Sequence, residues 1–169
     1  AATDETDWRS ALWNAGRLLE QRLEAHWISS NHYLSNLLGL FLIGQILGQE
    51  HWARFARAEF PRALRAQTWP DGGLYEASLP YHALVTEMAL LFRAAGGDAG
   101  PVLPAMCQVL ADTMDADGDV FPVGDNDSGR ILPIDFLALR HGRAAALLEL
   151  AQVLDLPACS PRADALYPE

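Results

Sequence analysis

The chain has 169 residues, half of them hydrophobic and a fifth charged: enough apolar side chains for one sizeable core, and too many for a disordered or fibrous chain. Its net charge of −10 comes from 22 acids against 12 bases, every one an arginine. That argues against non-specific nucleic-acid binding, because neutralising phosphate needs a basic face. The most apolar stretch, Leu37 to Leu47, is about half the length a bilayer requires and contains Gln45, so no membrane span is expected.

Helical signals follow one another along the chain. Trp8, Leu12, Ala15, Leu19 and Leu23 recur at helical spacing and make one apolar stripe, with Arg9, Arg17, Glu20 and Arg22 mostly off it. Ser29 and Ser30 are candidate caps for a second helix, about Asn31 to Gly48, which is apolar almost all round and therefore buried on several sides. A third, about Glu50 to Gln67, is two-faced: Trp52, Phe55, Ala56 and Phe60 face in, and Arg54, Arg57, Arg62 and Arg65 face water. After the punctuated loop TWPDGGLYEASLP, Ser78 or a neighbour caps a fourth helix with Pro80 in its first turn; Gly96 and Gly97 stop it. A fifth covers about Pro101 to Met114, the loop DADGDVFPVGDNDSGR holds one short strand at Val120 to Val123, and a last helical region spans about Ile134 to Leu154, broken near His141 and Gly142.

The expected fold is all-α, about six main helices in one domain over 1–169, arranged as antiparallel hairpins with inner and outer helices; a plain bundle predicts nearly the same pattern. Cys107 and Cys159 are too few for a disulfide framework and lack metal-ligand spacing, so two buried thiols are expected. The start AATDETDW has neither a basic n-region nor an apolar h-region, so no signal peptide is expected there.

Polar residues open the two buried helices. Asn31 and His32 stand at the start of one, with Ser35 and Asn36 a turn on; Tyr81 and His82 stand at the start of the other. A first turn has unpaired N–H groups and a favourable dipole for negative charge, so an amide, two imidazoles and a phenol there suit a carboxylate-bearing ligand. The same residues also read as a helix cap and satisfied core side chains. Asp71 and Glu76 can be read as a glycosidase pair or as turn-formers. Asp115, Asp117 and Asp119 alternate as in a calcium loop, but Val120 and Asn126 occupy the positions that need glycine and glutamate. There is no HExxH pattern and no serine on a nucleophile elbow, and neither metal nor cofactor is expected.

Three segments in order resemble the heparinase II/III-like polysaccharide lyases: SSNHYLSNLLGLFLIGQIL with the Arg-rich helix after it, WPDGGLYEASLPYHALVTEMALLF, and VFPVGDNDSGR. The resemblance runs from about Trp8 to Leu154. It implies a partial (α/α) toroid, normally followed by a β-sandwich that this sequence does not contain, so the expectation is the central part of such a lyase or a truncated relative. It implies β-elimination on a uronic-acid polysaccharide, and a periplasmic or extracellular setting. The enzyme must neutralise the C6 carboxylate, remove the weakly acidic C5 proton and protonate the departing O4. By the resemblance, Asn31 neutralises the carboxylate with His32 beside it, and Tyr81 is the catalytic tyrosine with His82 as its neighbour. Glu76 is structural or borders the sugar. Arg130 is assigned to a substrate carboxylate because of its planar donor fork. Members commonly use a further His or Tyr from later in the chain, and His141 is a candidate by residue type alone. Two alternatives accompany the lyase: a non-catalytic module of the same fold that binds acidic oligosaccharide, and an α/α glycoside hydrolase working through Asp71, Glu76, Asp125 or Asp127.

Overall fold

The computed structural model describes residues 3–25, 30–131 and 142–162. Among them the protein is all-helical: α1 Thr3–Gln21, α2 Asn31–Leu47, α3 Glu50–Ala66, α4 Leu79–Ala94, α5 Leu103–Asp112 and α6 Arg143–Val153. The chain divides into two compact units, Ala1–Ala63 and Leu64–Glu169.

In the first unit α1 packs against α2. At Gly16 a Cβ would lie 2.5 Å from the Trp52 ring and 3.1 Å from Ile43 of α2; a bare backbone is what lets α1 come this near. The apolar stripe of α1 is only partly covered: Trp8 and Ala15 are exposed, and Leu12 and Leu19 are half-buried. Ser30 starts α2, its hydroxyl accepting the His32 N–H at 3.3 Å; Ser29 lies outside the described residues. Leu34, Leu37 and Phe41 are fully buried, as a helix apolar all round requires. Gly48 ends α2 in the left-handed conformation (φ 67), donating to Gln45 O while Gln49 N–H returns to Gly44 O at 2.7 Å. Gln49 O then accepts from Trp52 and Ala53, so two residues turn α2 into α3 as a helical hairpin. On α3 the inward face is Trp52, Ala53, Ala56 and Phe60. Phe55, expected among them, is 42% exposed, because it falls on the side of the helix that carries Arg54 and Arg62.

In the second unit α4, α5 and α6 pack pairwise on one another. Ser78 caps α4 by accepting the Tyr81 N–H at 3.2 Å, and Gly96 (φ 84) and Gly97 close it by donating to Arg93 O and Phe92 O. Met88, Ala89, Leu90 and Phe92 form its core with Leu103, Met106, Leu110 and Leu147. Arg93 Nε donates to Leu154 O at 3.1 Å and so satisfies a carbonyl at the end of α6. Asp112 ties the segment after α6 to α5, accepting from the Arg162 backbone and guanidinium and from Gln108. Burial works to raise the Asp112 pKa, but these donors outweigh it and hold the carboxyl below its usual range. Both cysteines are free; Cys107 is buried and Cys159 only partly so. Burial, and secondarily Cys159, push the Cys107 thiol up to about 12.

One sequence expectation changes here. The stretch Val120 to Val123 is not a strand: among the described residues it makes one isolated antiparallel bridge, Met114 to Val120, and the Val123 carbonyl is taken by Leu79 N–H. The DADGD turn is a helix cap. Asp115 Oδ1 accepts from its own turn at Asp117 N and Asp119 N. The amides opening α6 then find Asp117 O (from Gly142), Asp119 Oδ1 (from Arg143) and Gly118 O (from Ala145). Residues 132–141, which carry the expected start of the last helical region and His141, lie outside the described residues.

Candidate functional site

The expected site residues fall in both units: Asn31 and His32 in the first, Glu76, Tyr81, His82 and Arg130 in the second.

At the start of α2, Asn31 is buried (8% exposed) and His32 is exposed. His32 Nδ1 meets Glu24 Oε2 at 3.0 Å. A carboxylate only accepts, so Nδ1 carries the hydrogen and, in the neutral ring, Nε2 carries the lone pair. Glu24 is itself placed by Asn36, whose Oδ1 accepts the Glu24 N–H at 3.0 Å. The i,i+4 relation of His32 and Asn36 read from sequence thus works through a third residue.

At the start of α4, Tyr81 is half-buried and donates its hydroxyl to Asp127 Oδ2 at 3.0 Å. That hydrogen bond first, then partial burial and the charges of Asp127, Asp125 and Glu76, raise the phenol above its ordinary 10.0. Three carboxylates thus act on one hydroxyl: Asp127 and Asp125 from one loop and Glu76 from the stretch before α4. His82 points the other way. It is 2% exposed, and its Nε2–H donates to Met106 O on α5 at 3.0 Å. Burial lowers its pKa, against smaller opposing effects from Met106 O and Asp71, and its Nδ1 has no partner among the described residues. The imidazole therefore joins α4 to α5. Asp71 accepts the Gly73 N–H at 2.9 Å, which closes its own turn.

Beside the first turn of α4 lies a groove of about 280 Å³, lined on one side by Pro80 and Ala83 and on the other by Asp119, Asn126, Ser128, Arg130, Arg143 and Ala144. Arg130 is exposed at its rim. Arg143, which sequence reasoning missed, is only 15% exposed and is held by the fully buried Glu87 of α4. Its signal in the sequence is faint: a further Gly-Arg dipeptide, at Gly142-Arg143, after Gly16-Arg17 and Gly129-Arg130. Glu24 was also missed, since it precedes α2 and belongs to no motif. Two arginine forks in one groove can take a carboxylate; the carboxylates around Tyr81 cannot. Among the described residues, no three His, Cys, Asp or Glu side chains gather as a metal site. Compared with family models, curated proteins and solved structures, the chain matches none.

Proposed function

We propose that the protein is the helical part of a polysaccharide lyase of the heparinase II/III-like kind, a partial (α/α) toroid that cleaves a uronic-acid polysaccharide by β-elimination. The observation that carries the reading is the His32–Glu24 pair at the start of α2: an imidazole with Nδ1 engaged by a carboxylate leaves Nε2 as a proton acceptor, next to the amide of Asn31. The order of NHY, the Tyr-His pair and GDNDSGR in the sequence supports it.

In this mechanism Asn31 donates to the C6 carboxylate, so that charge developing on the enolate-like intermediate is stabilised. His32 Nε2 takes the C5 proton. The C5 electron pair forms the C4–C5 double bond, the C4–O4 bond breaks, and Tyr81 gives its proton to O4. Solvent then returns the His32 proton to Tyr81. Arg130 and Arg143 hold the carboxylate of a neighbouring uronate in the groove.

The test is an absorbance screen for the conjugated, unsaturated product against alginate, heparan sulfate and hyaluronan. Product is expected from at least one polymer, and is lost in both His32→Ala and Tyr81→Phe. Binding of acidic oligosaccharide with no product would instead indicate a non-catalytic module of the same fold. Reducing sugar without new absorbance, indifferent to Tyr81→Phe and lost on changing Asp125 or Asp127, would indicate a hydrolase.

A further inference from the structure

Tyr81 is held from a distance of 46 residues. Asp127 takes its hydrogen bond on Oδ2, while Asp127 Oδ1 is fixed by the Gly129 N–H at 2.9 Å, so both carboxylate oxygens are engaged. The loop carrying Asp127 is fastened to the start of α4 at three points. Ser78 Oγ donates to Asp125 O at 2.6 Å, Leu79 N–H donates to Val123 O at 2.9 Å, and Gly124 comes so near that a Cβ would lie 2.8 Å from Ser78 Cα. Ser78 thus caps the helix and anchors the loop with one hydroxyl.

Resting on the elimination reading above, we infer that Asp127 is the positioning residue of Tyr81: by accepting the phenol's hydrogen bond it fixes where the hydroxyl stands and keeps the proton on it until substrate arrives. The titratable groups facing the phenol are Asp127 and Asp125 from the loop and Glu76 from the stretch before α4, and all three oppose a phenolate. Tyr81 is therefore the acid that protonates O4, and the C5 proton goes to a different group, His32. The same three carboxylates repel the C6 carboxylate of the sugar, so the ring presents O4, not its acid, to the phenol.

The experiment follows ionisation of Tyr81 in two ways: the phenolate absorbance difference between the chain and Tyr81→Phe, and the ring-carbon NMR shift of Tyr81 in the unaltered chain. A midpoint above 10.0 is expected in the unaltered chain. Asp127→Asn is expected to lower it, with partial restoration in Asp127→Glu. With a polymer that is turned over, the alkaline limb of kcat moves with the phenol midpoint while KM holds. A Tyr81 midpoint at or below 10.0 in the unaltered chain overturns the proposal, as does an Asp127→Asn midpoint equal to that of the unaltered chain. The titration needs no substrate. If it responds to Asp127 but no uronate polymer gives unsaturated product, the elimination reading fails and the Asp127–Tyr81 pairing stands.

Discussion

Glu87, fully buried on α4, meets the guanidinium of Arg143 at the start of α6 at 2.5 Å. The two are 56 residues apart, and the pair joins two helices of the second unit on the wall of the groove. Taking both charges out of water is costly, and their contact offsets that cost only while both are present.

Removing one partner should therefore be worse than removing both. Glu87→Gln or Arg143→Met alone is expected to destabilise the chain by about 3–5 kcal/mol, since an unpaired charge or a mismatched polar group is left inside. Glu87→Leu combined with Arg143→Met should recover most of that loss. Denaturant unfolding of the two single variants and the double variant checks it; a double variant as unstable as the sum of the singles would refute the pairing.

Gly124 is the second point of sensitivity. Its φ is 83, and a Cβ would lie 2.8 Å from Ser78 Cα and 3.0 Å from Ala77 O. Gly124→Ala is expected to cost about 1–3 kcal/mol and to release the loop from the start of α4. The Tyr81 phenol should then titrate closer to its ordinary value, because Asp127 is carried by that loop. An alkaline titration of this variant, alongside its unfolding curve, measures both effects.

His82 sets a pH dependence. Burial lowers its pKa below the ordinary 6.5, so in the folded chain the imidazole stays neutral where the unfolded chain binds a proton. Below 6.5 the unfolded state binds more protons, and stability falls as pH falls, at most by about 1.4 kcal/mol per unit, until the folded pKa is reached. His82→Gln should flatten the curve between pH 6.5 and that point while lowering stability at neutral pH. Equal slopes for the variant and the unaltered chain would assign the pH dependence elsewhere.

Glu24 tests the base. Glu24→Gln keeps the size of the side chain but lets either tautomer of His32 form, so Nε2 no longer holds the lone pair by default. Turnover of a uronate polymer should fall by tenfold or more, on the order seen when a base loses its orienting partner, with KM little changed. A change in KM alone would place Glu24 in substrate binding.

What could be read in advance was local. The starts of α2 and α4 follow from Ser30 and Ser78, and their ends from Gly48 and Gly96, because a cap needs only a hydroxyl or a residue free to take positive φ within a few positions. Burial of α2 and α4 follows from side chains apolar almost all round in the one and on most sides in the other. Phe55 was misplaced because a two-faced helix leaves a border where periodicity does not choose a side. The role of DADGD at the start of α6 is not legible in sequence, because the amides that its Asp119 carboxylate and its carbonyls accept from lie more than 20 residues on.

Residue order is enough to read an all-helical chain with an amide and an imidazole opening one buried helix and a phenol opening another. Tertiary structure alone decided their partners: Glu24 for His32, Asp127 for Tyr81, Met106 for His82 and Glu87 for Arg143. The physical reason is range. Helix formation and capping are settled within a turn or two of backbone, whereas hydrogen bonds spanning 8 to 56 residues between separate elements depend on the path of the loops and the packing of whole helices. Nothing in the spacing of the residues records that path.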